Sequence, residues 1–228
     1  LSKINLEFRY IYMKIKLTVP TELSEIRLSQ YQKYHKIQED NKDENFLATK
    51  MIEIFCGIPN KESFRMKLRD VTKVTSILVG LFNKQPKLKN RFMMNGIEYG
   101  FIPNLDDMSL GEYVDLDTYI SSWDNMHKAM AVLYRPIDAS FGSKYTIEEY
   151  DGLGQEQMKD MPLDVVFGSM LFFYRLGIEL SQVMMSYFQD KKQIPSRQLE
   201  VLMENMGGLD KFTTSVNTML QELKISLN

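Results

Sequence analysis

The sequence predicts a mainly α, α+β protein: a helical domain with a central β-hairpin and a C-terminal helical hairpin. Three observations carry this prediction. Apolar residues recur at helical spacing through most of the chain, as in Val71–Asn83. Asn95-Gly96 separates two short apolar runs, and both residues tolerate the positive φ of a type I′ hairpin turn. Near the end, Gly207-Gly208 separates two further amphipathic stretches.

The composition sets limits on the class of partner. At 228 residues and 44% hydrophobic, the chain can bury a sizeable core. Its 28 Lys and Arg nearly balance 30 Asp and Glu, so we expect neither nucleic acid nor a membrane surface as a partner. The single cysteine, Cys56, excludes an internal disulfide and fits a reducing compartment. Because it lies in the apolar run Met51–Ile58, we interpret it as a buried small hydrophobe.

The chain is expected to divide into three parts. Residues 1–12 are interpreted as an extension upstream of the natural start, because Leu1 is not a start residue and Met13 opens an alternating segment. That segment, Lys14–Val19, predicts a strand that ends at Pro20. The main helical domain then covers 13–192, and the C-terminal helical hairpin covers 193–228.

Two helices are predicted after the first strand. Thr21 or Ser24 is expected to cap the first of them, which continues to about Glu39. The second begins near Phe46, and Gly57 favours its end because glycine readily adopts the left-handed conformation.

A helical turn, a third helix and the central hairpin are predicted next. Asn60–Arg69 contains the turn, and Asp70 is the expected N-cap of Val71–Asn83. The hairpin strands are Arg91–Asn95 and Ile97–Ile102.

Two further helices follow the hairpin. Ser109 and Glu112 have the spacing of a capping box, which predicts a short acidic helix to about Ile120. The next predicted helix, Trp123–Tyr134, is expected to end because of Pro136.

The last third of the main domain is predicted to contain a loop followed by a long helix. Asp138–Gly154 is rich in Gly, Ser and Asp and is predicted to be a mobile arm, with Lys144–Tyr150 extended. Leu163–Gln189 is apolar on most sides and predicts a long buried helix. Gly168 and Gly177 are expected to let another helix approach it closely.

No residue pattern predicts catalysis, a cofactor site or a metal site. His35 and His127 are not in a metal-binding spacing, and we expect His127 to be a surface or semi-buried polar residue. The strongest contrary signal is an acidic set, which we interpret as helix caps and dipole partners. The alternative is a metal-dependent enzyme that uses this set: Asp106, Asp107, Glu112, Asp115, Asp117 and Asp124.

Methionine is abundant, with 16 residues. Methionine fills irregular gaps in cores, and it also forms plastic surfaces that bind partner helices. The C-terminal hairpin, Ser196–Leu227, follows a break at Pro195 and carries apolar faces, so we predict that it binds a partner protein. The predicted partner-binding residues are Leu199, Leu202, Met203, Met206, Met219, Leu220 and Leu223.

Several short segments carry a family resemblance. They are Ile54–Pro59, Asn95–Leu105, Trp123–Pro136, Met161–Asp164 and Phe172–Tyr174. Through them, the region from about Phe46 to Gln189 resembles tailed-phage virion-assembly proteins similar to the small helical tail assembly chaperones.

The resemblance implies a mostly helical, non-catalytic protein of the host cytoplasm. It implies binding to the tape measure protein, or another tail protein, before the tail polymerises. The alternative within phage assembly is a structural virion component, such as a head–tail or capsid accessory protein.

Overall fold

The computed structural model describes residues 3–10 and 13–190, which form a mixture of helices and antiparallel sheet. The helices are α1 (Leu28–Asp40), α2 (Glu44–Cys56), α3 (Asn60–Ser63), α4 (Leu68–Phe82), α5 (Leu110–Tyr119), α6 (Met126–Leu133) and α7 (Leu163–Asp190). The strands are β1 (Ile4–Tyr10), β2 (Met13–Val19), β3 (Arg91–Met94), β4 (Ile97–Phe101), β5 (Tyr134–Phe141) and β6 (Lys144–Ile147). The α+β class agrees with the sequence prediction. The predicted C-terminal hairpin and its seven partner-binding residues lie outside the described residues.

The predicted first strand is confirmed as β2, and it pairs with β1. The antiparallel register extends from Ile4 opposite Val19 to Tyr10 opposite Met13. Leu17 and Val19 are buried in the core. The segment interpreted as an upstream extension thus contributes a paired strand, while the natural start at Met13 stays a prediction.

The first helix begins later than predicted, at Leu28 rather than after Thr21 or Ser24. The cause is a long-range backbone contact. The N–H of Leu28 donates to the carbonyl of Met161 at 2.9 Å, and the N–H of Leu163 donates to the carbonyl of Ile26 at 2.9 Å. These two hydrogen bonds hold the residue between Ile26 and Leu28 in an extended conformation. The helix therefore cannot begin before Leu28.

Local caps set both ends of α2. Asp43 accepts a hydrogen bond from the Phe46 N–H at 2.8 Å and begins α2, and Gly57 ends it as predicted, with φ +70°. The predicted cap of α4 is wrong, because the N-cap is Lys67 and Asp70 lies inside the first turn. An acidic side chain is favourable there as well, since it faces the positive end of the helix dipole.

The central hairpin is confirmed, but it is half of a larger sheet. Asn95 and Gly96 form the turn with φ of 52° and 81°. The sheet has the order β3-β4-β5-β6, so β5 continues from the hairpin and β6 forms one edge. The helix predicted over Trp123–Tyr134 ends one residue early, because α6 ends at Leu133. Pro136 is not the cause of this end, since it lies in β5 opposite Tyr99.

The prediction of a mobile arm is wrong over 138–141, where the chain completes β5, whereas the extended conformation predicted from Lys144 is confirmed over Lys144–Ile147, which forms β6. Arg91 of β3 holds the turn between them: its guanidinium donates to Ser140 Oγ at 2.9 Å and to the Lys144 carbonyl at 3.2 Å. The same guanidinium lies 4.5 Å from the centre of the Tyr145 ring. The Tyr145 hydroxyl donates to the Phe101 carbonyl at 2.7 Å. We call this set of contacts the Arg91 clasp.

The first part of helix α7 is the spine of the core, as predicted, because its residues from Leu163 to Leu171 are buried. Farther along the same helix Arg175, Glu179 and Gln182 are exposed, so the prediction of a helix buried over its full length is wrong there. Tyr134, at the start of β5, donates its hydroxyl to the Lys89 carbonyl at 2.8 Å and lies 2.9 Å from Ser169 Oγ on α7. The sheet is therefore attached to the spine through a buried tyrosine.

A close approach occurs at Gly168 of α7, but the neighbour is not a helix. A Cβ built at Gly168 would lie 2.5 Å from the carbonyl oxygen of Lys87, which belongs to the extended linker before β3. The prediction of a close helix pair at this glycine is wrong. The missing side chain instead lets the linker backbone lie directly on α7.

We expect Gly168→Ala to lower the free energy of unfolding by about 1–3 kcal/mol, because the new methyl group would overlap main-chain atoms that cannot rotate away. Gly80→Ala is the matched control, since Gly80 is also helical and has no atom within 4 Å of a built Cβ. That control should gain about 0.5–1 kcal/mol from helix propensity. Denaturant unfolding of both variants measures the difference, and a stabilised Gly168→Ala would contradict the close approach.

Candidate protein-docking site

Helix α5 begins at the capping box that the sequence predicts. The N–H of Glu112 donates to Ser109 Oγ at 3.2 Å, and the N–H of Ser109 donates to Glu112 Oε2 at 2.7 Å. Two donors that the helix itself leaves unsatisfied are thereby paired. The helix therefore has a fixed starting point on the protein surface.

Glu112 has a second partner that the capping pattern does not reveal. Its Oε1 lies 2.7 Å from Arg135 Nη2, and both side chains are largely buried. Burial by itself raises the pKa of Glu112, but the hydrogen bonds from Ser109 and the positive charge of Arg135 outweigh it. The pKa is therefore below its usual value, and the ion pair fixes α5 to β5.

Asp115 provides another attachment on the inner face of α5. The Tyr150 hydroxyl donates to Asp115 Oδ2 at 2.7 Å. The pKa of Tyr150 is raised, first by burial and then by the adjacent carboxylate. Leu116 and Ile120 are buried on the same side. Helix α5 is thus held by an ion pair, a hydrogen bond and apolar packing.

The outer face of α5 exposes large apolar side chains at helical spacing. Leu110 is 79% exposed, Tyr113 50% and Val114 51%. Positions i, i+3 and i+4 of a helix form one continuous surface. We call these three residues the α5 stripe. A cluster of exposed apolar side chains on a well-anchored helix is typical of a protein-binding surface.

An open cleft of about 530 Å³ lies between the sheet, α6 and the chain after β6. We call it the acidic cleft. Buried Ala131, Tyr134 and Met158 are among its lining residues, together with Arg135. Its other lining residues are Ile97, Tyr99, Pro136, Ile137, Glu148, Glu149, Tyr150, Asp151, Leu153, Gly154 and Gln157.

Tyr99 connects two walls of the acidic cleft. Its hydroxyl donates to Gln157 Oε1 at 3.3 Å. The pKa of Tyr99 is raised, first by burial and then by the negative charge of Glu148. The charge of Glu148 therefore acts on the interior of the cleft.

The acidic set from the sequence does not converge on one point. Glu112 is paired with Arg135, Asp115 binds Tyr150, and Asp107 Oδ2 accepts from Asn104 Nδ2 at 2.9 Å. Across residues 3–10 and 13–190, the structure contains no group of three His, Cys, Asp or Glu side chains that could hold a metal ion. The acidic set therefore forms no such metal-binding group in this part of the chain, and the metal-dependent enzyme stays an alternative hypothesis.

The expectation that His127 is a surface or semi-buried residue is wrong. His127 is buried on α6, with Nδ1 3.1 Å from Gln32 Nε2 and Nε2 3.3 Å from Glu156 Oε1. Burial and the charge of Lys159 lower its pKa, and they outweigh the opposite effect of Glu156. The imidazole is therefore neutral at neutral pH, and its contacts connect α6 to α1 and to the chain at Glu156. These contacts account for the buried position of His127.

Cys56 is half-buried at the end of α2, rather than buried as predicted. Burial raises the pKa of its thiol to about 12. The thiol is therefore protonated at neutral pH and is a poor nucleophile.

Comparison with known proteins gives no further assignment. No protein-family model, curated protein or solved structure matches the chain. Over the part of the chain that the structure covers, no helix is long and apolar enough to cross a membrane.

Proposed function

We propose that this chain is a non-catalytic tail assembly chaperone of a tailed phage, which binds the tape measure protein before the tail polymerises. The α5 stripe is the observation that carries the proposal, and the sequence resemblance supplies the class. The chaperone would mask apolar stretches of a long helical client until assembly begins.

The α5 stripe suits a helical client. Amphipathic helices bind one another through apolar residues at i, i+3 and i+4, and the stripe has this spacing. Leu110 contributes about 1.5–3 kcal/mol if a partner buries it fully, and the half-exposed Tyr113 and Val114 contribute less because less of their surface remains to be covered. Because the Glu112–Arg135 pair already fixes the helix, little ordering free energy is lost on binding.

The predicted C-terminal hairpin provides an additional candidate for the same role. Its seven apolar residues lie outside the described residues, so its part in client binding stays a prediction. A client that contacts both elements would gain affinity through two linked contacts.

The test is co-purification of the tape measure protein with a Leu110→Ser/Val114→Ser variant. We expect binding to weaken about tenfold or more, because two apolar contacts become polar. The fold should be unchanged, since neither side chain is in the core. Leu68→Ser is the matched control: Leu68 is an equally solvent-facing leucine, 71% exposed, on α4. Its binding should remain at the wild-type level.

Full-strength binding by the double variant would contradict a role for the α5 stripe. The composition of purified virions then separates the chaperone from the structural alternative. A chaperone is expected to be absent from mature particles, whereas a head–tail or capsid accessory protein would be present in stoichiometric amounts.

A further inference from the structure

We infer that the acidic cleft is a second docking site, which binds a protein segment carrying a lysine or arginine next to an apolar residue. The occupant is a peptide segment of basic and apolar character. This inference goes beyond the proposed function and does not depend on it, because the cleft and the α5 stripe are different surfaces.

The walls of the cleft offer apolar contact. Buried Met158 and Ala131 line it, and two large aliphatic side chains, Ile97 and Leu153, line it while remaining substantially exposed. A volume of about 530 Å³ lies within the range of sites that enclose a small ligand or several side chains. An extended segment can therefore place an apolar side chain between these walls.

The charge of the cleft determines whether a positively or a negatively charged segment binds there. Glu148, Glu149 and Asp151 all line it, and each is exposed. Arg135 is the single cation among the lining residues, and its charge is matched by Glu112 at 2.7 Å. The remaining charge is therefore negative, which favours a cationic occupant and disfavours acidic peptides and nucleic acid.

Two of the carboxylates are available for a new ion pair. Within the described part of the chain, no lysine or arginine forms a salt bridge with Glu148 or Glu149. Asp151 is different, because its Oδ1 accepts a hydrogen bond from the Leu153 N–H at 2.7 Å. That bond fixes the loop that carries Leu153, so one apolar wall stays in place beside the carboxylates.

Lysine and arginine combine the two properties that this surface recognises. Their aliphatic stems pack along apolar surface while the charged group stays at a polar edge. In the cleft, a stem would contact Ile97 or Leu153, and its cation would reach Glu148 or Glu149. A purely apolar segment would leave these carboxylates unpaired, so the mixed segment is preferred.

The cleft and the α5 stripe can be occupied separately. Asp115 binds Tyr150, a lining residue of the cleft, whereas Leu110 and Val114 are on the opposite, solvent-facing side of α5. A segment in the cleft therefore leaves the stripe open.

The test uses three synthetic peptides with the sequences LKLKLK, GKGKGK and LELELE, capped at both ends. NMR titration of the full-length, isotope-labelled protein should show that LKLKLK shifts the amides of Ile97, Ala131 and Gly154. The other two peptides should bind at least about tenfold more weakly, because each lacks one of the two properties. An absence of LKLKLK binding, shifts confined to other surfaces, or equal binding of all three peptides would overturn the inference.

Charge variants locate the interaction. Glu148→Lys/Glu149→Lys should weaken LKLKLK binding about tenfold or more, because like charges would then face each other. Asp106→Lys/Asp107→Lys is the matched control, since it makes the same change in net charge at an exposed pair outside the cleft. Equal weakening by both would show unspecific electrostatic attraction and overturn the inference. Glu148→Gln/Glu149→Gln repeats the test without introducing positive charge, in case the lysine variant does not fold.

Discussion

Glu112→Gln is expected to lower the free energy of unfolding by about 3 kcal/mol, because it leaves the buried Arg135 guanidinium without its counter-charge. Chemical denaturation at neutral pH measures the loss. Glu98→Gln is the control, since Glu98 is 3.9 Å from Arg91 in a partly exposed pair. Removing that pair should cost less than about 1 kcal/mol. Equal losses in both variants would contradict a special contribution from the buried pair.

The same pair predicts a pH dependence. The folded-state pKa of Glu112 is lowered, so its carboxylate stabilises the fold above the unfolded pKa of about 4.3. This contribution is lost as the pH falls through the folded-state value. Below about pH 4.3 the wild-type protein should therefore lose its advantage over Glu112→Gln. A constant difference between the two proteins down to acidic pH would show that Glu112 does not titrate as expected.

A double-mutant cycle isolates the interaction itself. Arg135→Gln and the Glu112→Gln/Arg135→Gln double variant complete the cycle. Because removal of both charges leaves no unpaired buried ion, the double variant should lose less stability than the sum of the two single losses. Strict additivity would indicate that the two side chains act independently.

Leu171→Asp is expected to prevent folding or to lower the free energy of unfolding by more than about 4 kcal/mol. Leu171 is 1% exposed on α7, so the substitution removes an apolar side chain and places a carboxyl group in the core. Typical domains have only about 5–15 kcal/mol of stability, and a loss of this size removes much of it. The soluble fraction and thermal unfolding followed by circular dichroism measure the effect.

Gln182→Asp is the control for Leu171→Asp, because it measures the effect of an aspartate in the helix without the effect of burying it. Gln182 is an exposed residue of the same helix, so its substitution introduces the same side chain without burying it. We expect a small change, within about 1 kcal/mol. If Leu171→Asp were equally mild, α7 would not be the spine of the core.

Features encoded by neighbouring residues could be predicted from the sequence. Asn95-Gly96 gave the hairpin turn because both residues adopt positive φ, and Ser109 with Glu112 gave the start of α5 through a four-residue capping pattern. Gly57 ended α2 for a similar local reason. Each of these depends on atoms within a few positions of one another.

Features that depend on distant partners could not be predicted in this way. The delayed start of α1 results from pairing with Met161 and Leu163, more than a hundred residues away. The region 138–147 has the composition of a loop, yet it forms the end of β5 and all of β6, which pair with each other. Its first strand continues from residues 134–136, which pair with β4, and Arg91 of β3 holds the turn between β5 and β6. Composition describes the preference of a segment in isolation, and tertiary contacts of this kind override it.

The two candidate surfaces also differ in how far the sequence could predict them. Leu110, Tyr113 and Val114 are visible in the sequence at helical spacing, but the sequence does not say which face of α5 is covered. That choice is made by Arg135 and Tyr150, which attach the opposite face. The acidic cleft could not be predicted, because its walls come together only when β4, α6 and the chain after β6 are in place.

The Arg91 clasp has a consequence for self-association. Open sheet edges can pair with the same edge of another molecule, which leads to aggregation. Here β3 and β6 are the two edge strands, and the Arg91 guanidinium of β3 places a positive charge on the carbonyls next to β6. If a second copy approached this turn, its backbone N–H groups would find these carbonyl oxygens already bound by the Arg91 guanidinium. We therefore expect Arg91 to disfavour edge-to-edge pairing at the turn between β5 and β6.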